Sequence, residues 1–180
     1  MAEISTKVVT GKVRLSFVNL FEAKTFGDNT EPKYSVMVLI PKTDVGTVGR
    51  IKAAIDAAAQ KGLSTKFGGK MPPVLKTTFK DADKDTDQDG FPLCEKWPET
   101  KGHYVINLST RTKPQVVDAN LNPILDPTEV YSGCYGRVSM NFFAYNNNGN
   151  KGISAGLNNV QKLEDGEPLG GVTTAEVDFR

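Results

Sequence analysis

The stretch at 135–145, YGRVSMNFFAY, alternates strictly: Val138, Met140, Phe142 and Ala144 share one side, and Arg137, Ser139, Asn141, Phe143 and Tyr145 the other. Only an extended strand separates those two sets, because successive side chains on a strand point to opposite faces. One oily and one wet face is the mark of an antiparallel sheet covered on a single side. The same period runs through 8–20, where Val13, Leu15 and Phe17 alternate with Lys12, Arg14 and Ser16, and Gly11 marks a bend. Further strands are expected at 33–40, stopped by Pro41, at 74–79, at 103–109 and at 116–117, with 123–125 returning across an Asn-rich turn. A last strand at 152–163 follows the turn cluster NNNGN at 146–150, and Gly27-Asp28-Asn29 marks a loop at 22–31.

One helix interrupts this series. Ile51, Ala54, Ile55, Ala58 and Ala59 recur at helical spacing over 44–61, Thr43 or Asp44 can cap the start, and Gly62 reads as the stop. Its small, alanine-rich face suits a helix lying across the end of a sheet. Residues 64–101 are long and irregular, a length of connection that is usually functional or mobile. The order is most consistent with a mainly β protein, an OB-fold-like antiparallel β-barrel with one inserted α-helix and long loops, although periodicity does not separate such a barrel from a sandwich of similar size. The domain is expected at 1–165, with a flexible, weakly acidic tail at 166–180.

Composition narrows the chemistry. A chain of 180 residues with 38% hydrophobic content can bury one core. No run of about 18 apolar residues exists to span a membrane, and the opening MAEISTKVVTGK has no apolar core of a signal peptide. His103 is the single histidine, and Cys94 and Cys134 lack metal-ligand spacing, so they read as small hydrophobes in a reducing compartment. No phosphate-cradling glycine loop and no nucleophile elbow are present. The common routes to an enzyme are missing, and no cofactor or metal is expected. The run DADKDTDQDG at 81–90 places Asp85, Asp87, Asp89 and Gly90 like the start of a calcium loop, but Lys96 stands where the closing glutamate belongs and Pro92 interrupts it. That run reads as a loose divalent-ion contact or a solvated, mobile loop.

Charge is segregated. Residues 1–80 carry 13 Lys/Arg against 6 Asp/Glu, whereas 81–180 carry 9 against 15, with acid concentrated at 81–99 and 164–180. A basic body with acidic segments suits a polyanion partner and an internal competitor for it. Candidate phosphate contacts are Lys12, Arg14, Lys33, Arg111, Lys113 and Arg137. Candidate stacking rings are Trp97, Phe143 and Tyr145, each with a structural alternative: Trp97 as a pin for its loop, the other two as an aromatic corner under a loop. Tyr104 completes the DNA-contact set, although it shares its face with Ile106 and Leu108 and reads first as core.

The run YSGCYGRVSMNFFAYNNNGNKGISAGLNNVQKLEDGEPLGG at 131–171 resembles a tailed-phage single-stranded-DNA-binding protein family. RTKPQVVDANLNPILDPTEVYSG upstream and the order of strand, PKYSVMVLIPK and alanine-rich helix are similar to it as well. The resemblance implies an OB fold, sequence-independent binding of single-stranded DNA without catalysis, and a role in phage replication or recombination in the cytoplasm of the infected host. It also implies an acidic tail that recruits replication or recombination proteins; Glu176, Asp178 and Phe179 fit such a tail, while the final Arg180 does not. Two other classes compete: a virion tail or decoration protein, and a metal-dependent nuclease using the aspartate run.

Overall fold

The structure, a computed structural model, describes residues 6–25, 31–73, 76–86, 89–147 and 149–169. The elements run β1 (Lys7–Val9), β2 (Val13–Lys24), β3 (Lys33–Pro41), α1 (Val45–Thr65), β4 (Lys76–Thr77), β5 (Phe79–Asp81), α2 (Leu93–Lys96), β6 (His103–Thr110), β7 (Gln115–Val117), β8 (Tyr135–Asn147) and β9 (Asn150–Glu164). The strand expected at 74–79 is present as β4 and β5, with Val74 and Leu75 outside the described residues. The Gly27-Asp28-Asn29 turn also lies outside them.

Five strands close a ring: β2 pairs with β3, β3 with β6, β6 with β9, β9 with β8, and β8 returns to β2. All these pairings are antiparallel except β6–β9, which run parallel and meet at Ser109 and Gly156. In chain order the ring reads first, second, third, fifth, fourth, the Greek-key barrel of the OB fold. The weak parallel seam is flanked by β5 on β6 and by β4 and β7 on β9. Inside sit Val13, Leu15, Val36, Val38, Ile40, Ile106, Leu108, Val138, Met140, Phe142, Ile153 and Leu157, the inward set of each alternating strand.

The helix is longer than its sequence signals suggest. Asp44 caps it, accepting from the Thr47 N–H at 3.2 Å, and Ile51, Ala54 and Ala58 enter the core. Gly62 does not end it. That glycine lies inside α1, where a Cβ would collide with the Ala144 Cβ on β8. Its missing side chain lets helix and strand touch, and a local stop signal is indistinguishable from that need in the sequence.

A second correction concerns β2. Leu15 is buried, but Ser16 is 3% and Phe17 50% exposed. The pairing with β3 shifts between Ser16 and Asn19, so a bulge reverses the parity and Leu20 returns to the core. Phe17 stands at the bulge with φ of +47°, outside the barrel.

β3 is buried on both sides. Met37 and Leu39 point outward and are covered by Ala82, Leu93 and Val105, with Cys94 and Trp97 packed against them. The irregular segment is therefore a second layer on the barrel wall. Lys42 clamps it, its ammonium 2.7 Å from both Asp81 and Asp83, while Asp83 accepts from the Gly102 N–H. Asp85 accepts from the Asp81 N–H. These aspartates close turns on their own backbone, and among the described residues no group of three or more His, Cys, Asp or Glu could hold a metal; Asp87 lies outside them.

Candidate nucleic-acid interface

The outward residues of β2, β3 and β6 form the floor of an open basin. Asn19 faces Ser35, Ser35 faces Ser109, and Met37 faces Asn107 in the registers of adjacent strands. Small hydroxyl and amide groups keep this floor low, because large side chains at these positions would fill it. Asn19 Nδ2 reaches the Ser35 Oγ at 3.4 Å and the Phe17 carbonyl at 3.3 Å. Two rings form walls. Phe17 meets Trp97 edge to face with centroids 5.7 Å apart and planes at 71°, and the Lys96 ammonium lies 5.0 Å from the Trp97 ring centre. The cavity measures about 420 Å³, large enough for a flat heterocycle with its sugar.

A second basin of about 690 Å³ lies on the far side of Ser109. Lys7, Thr110, Thr112, Lys113, Asn141 and Asn158 contribute to its lining. It is wetter than the first and carries two ammonium groups, a composition suited to a sugar–phosphate backbone.

The expected contacts fall into three places. Trp97 and Lys113 line the basins, and Phe143, 46% exposed, leans over Gly156 between them. Trp97 also packs on Met37 and Leu39, pinning its loop as its structural alternative expects. Arg111 stands just past β6 in an ion pair with Glu31 at 3.0 Å, and Lys33 opposes Lys24 in register where the β2–β3 hairpin meets its connection. Tyr145 shares the outer face of β8 with Phe143 but covers Gly152 at the hairpin end.

The remaining four have other partners. Lys12 is ion-paired with Glu164. Arg14 donates to the carbonyls of Gly133 at 3.1 Å and Glu167 at 2.7 Å. Both flank the Tyr135 ring, so they hold the segment leaving β9 instead of lining a basin. Residues 166–169, placed in the tail by the sequence, run here: the Gly166 N–H donates to the Tyr131 hydroxyl and the Leu169 N–H to the Ser132 carbonyl. Glu176, Asp178 and Phe179 lie outside the described residues. Arg137 donates to the Thr10 carbonyl at 3.0 Å. Tyr104 faces the core, stacked on Phe79 with centroids 4.6 Å apart, at the other end of β6. Cys134 is fully buried, and burial pushes its thiol up, as suits a small hydrophobe.

The alternation missed Phe17. Its signal is the doublet Phe17-Val18, two adjacent apolar residues where the alternation first breaks, followed by a second doublet at Leu20-Phe21. Asn19, Ser35, Asn107 and Ser109 carried no signal, because hydroxyls and amides on an outer face are ordinary.

Several known proteins are similar to this chain in sequence and fold. A protein called p50 of Acyrthosiphon pisum secondary endosymbiont phage 1 is 30% identical over 174 residues, covering 94% of this chain and 91% of its own. The single-stranded DNA-binding protein from bacteriophage Enc34, solved in complex with single-stranded DNA, is 30% identical with a TM-score of 0.73, over 92% of this chain and 90% of that one. Its C-terminal truncation gives 27% identity and a TM-score of 0.74, over 91% and 88%. T7 gp2.5, a single-stranded DNA-binding protein, is similar in fold alone, with 14% identity and a TM-score of 0.62 over 96% and 93%. The family model of the Enterobacter phage Enc34 ssDNA-binding protein matches residues 6–180. A barrel of OB topology, an outer wall with rings over a polar floor, and that match place this chain in the family of the Enterobacter phage Enc34 ssDNA-binding protein.

Proposed function

We propose that this protein binds single-stranded DNA on the outer wall of its barrel without reading base identity, and that it does so during phage DNA replication or recombination in the host cytoplasm. The observation that carries this reading is the basin walled by Phe17 and Trp97 over the floor of Asn19, Ser35 and Ser109. Every nucleobase has a π-face, so two rings accept any base, with stacking worth about 1–3 kcal/mol per base. Lys96 beside the first basin and Lys7 and Lys113 in the second neutralise phosphates and release their counterions. A paired duplex keeps its base faces covered and gives the rings nothing to stack on. The activity is binding, with no bond made or broken and no cofactor or metal called for. The tail at its far end remains the segment for recruiting replication or recombination proteins. Among the described residues no helix is long and apolar enough to cross a membrane.

Trp97 is the chain's one tryptophan, so intrinsic fluorescence reports on this basin directly. Titration with oligo-dT is expected to quench that emission and to shift the protein in a native gel at low salt. Duplex of equal length is expected to do neither. Absence of both signals with single strand at low ionic strength overturns the reading.

A further inference from the structure

We infer that the two basins are halves of one strand track, joined where it crosses the barrel wall over Gly156. This rests on the single-stranded-DNA reading above and adds the path of the strand to it. The registers of adjacent strands supply the path. Asn19 on β2 faces Ser35 on β3, which faces Ser109 on β6, which faces Gly156 on β9, which faces Asn141 on β8, which faces Lys7 on β1. Every side chain in that row is small or polar. The row leads from the floor of the first basin to the lining of the second.

Gly156 is its saddle. Ala155 and Leu157 on either side are buried in the core, so position 156 faces out. A glycine in the interior of a long strand weakens it by entropy and by giving up a packing group. Nothing in the barrel demands one here. A Cβ at 156 would meet the Phe143 Cε1 at 3.8 Å and the Asn141 carbonyl oxygen at 4.0 Å, both ordinary contacts, and no left-handed backbone is involved. What a side chain would obstruct is the trough itself, beneath the Phe143 ring. Five inter-strand steps of about 4.8 Å give roughly 24 Å of track, enough to hold several nucleotides at once.

The test compares Gly156→Leu with the unaltered protein on two oligo-dT lengths, about 4 and about 12 nucleotides, one at the lower end and one well inside the range of about 4–16 for one such barrel. The variant is expected to melt at or above the temperature of the unaltered protein. Its affinity for the longer strand is expected to fall at least ten-fold (an order-of-magnitude figure for losing stacking at the joint), while the shorter strand, seated in one basin, binds as before. Unchanged affinity for the longer strand in a folded variant overturns the track. Equal losses for both lengths also overturn it, because they make Gly156 part of a single compact site. If Gly156→Leu does not fold, Gly156→Thr carries the same comparison. Failure of the unaltered protein to bind either length would instead sink the proposed function, a distinct result.

Discussion

Phe17 concentrates the residue-scale argument. A non-glycine residue in the left-handed region costs about 1–3 kcal/mol and persists where the surroundings over-determine it. Here the bulge of β2 turns the ring out of the core and sets it against Trp97. Asparagine tolerates the same backbone, so Phe17→Asn removes the ring and keeps the turn. Its melting temperature is expected to stay within a few degrees. Its affinity for oligo-dT, measured by fluorescence anisotropy, is expected to drop about 5- to 150-fold, the equivalent of about 1–3 kcal/mol of stacking. Phe17→Tyr is expected to restore most of it. A Phe17→Asn protein that binds normally removes this ring from the interface.

At the scale of elements, the outer layer over β3 depends on the Lys42 clamp. Hydrogen bonds to Asp81 and then Asp83 hold the Lys42 ammonium well above the ordinary lysine range. For Asp81, burial pushes the carboxyl up, but Lys42 and the Asp83 N–H outweigh it and leave it low. Asp83 is lowered by Lys42 and by the Gly102 N–H. Carboxylates lower in the folded than the unfolded chain contribute fully at neutral pH and lose that contribution as pH falls below about 4. The raised lysine contributes fully below about pH 10 and loses its share above that. Lys42→Met is therefore expected to melt lower at pH 7, with the gap to the unaltered protein narrowing in acid. A gap that stays constant from neutral pH down through acid argues against the clamp. Element starts were easier to read than element ends. Asp44 caps α1 as its side chain suggests, but Gly62 looked like a stop because tight contact with Ala144 selects the same residue.

For the whole molecule, the proposed position of the polymer depends on which cations have partners within the chain. Lys12 and Arg14 are occupied by the segment around Glu164 and Glu167, and Lys42 by the acidic run. Lys113 lines the second basin, and Arg111, just past the end of β6, is exposed and ion-paired with Glu31. The double variant Arg111→Ala/Lys113→Ala is expected to bind more weakly and to flatten the salt dependence by about 0.7 in log–log slope for each phosphate no longer neutralised. Lys12→Ala is expected to leave that slope unchanged. The reverse pattern would move the track to the opposite side of the barrel.

The alternation of 135–145, the helical spacing of 44–61 and the turn at 146–150 follow from neighbours along the chain, so the sequence alone determined two-faced strands with one helix, while their closure into a ring rests on pairings between distant segments. Trp97 too was legible, as the one large ring outside any apolar stripe. Its meeting with Phe17, 80 positions away, was not. Neither was the row through Gly156, because a row across strands exists only once their registers are set. Register and the layer covering Met37 and Leu39 arise from packing between distant segments, whereas the bulge in β2 left a trace in the Phe17-Val18 doublet. Period along one strand carries no information about what lies beside it, and tertiary structure alone decided those two.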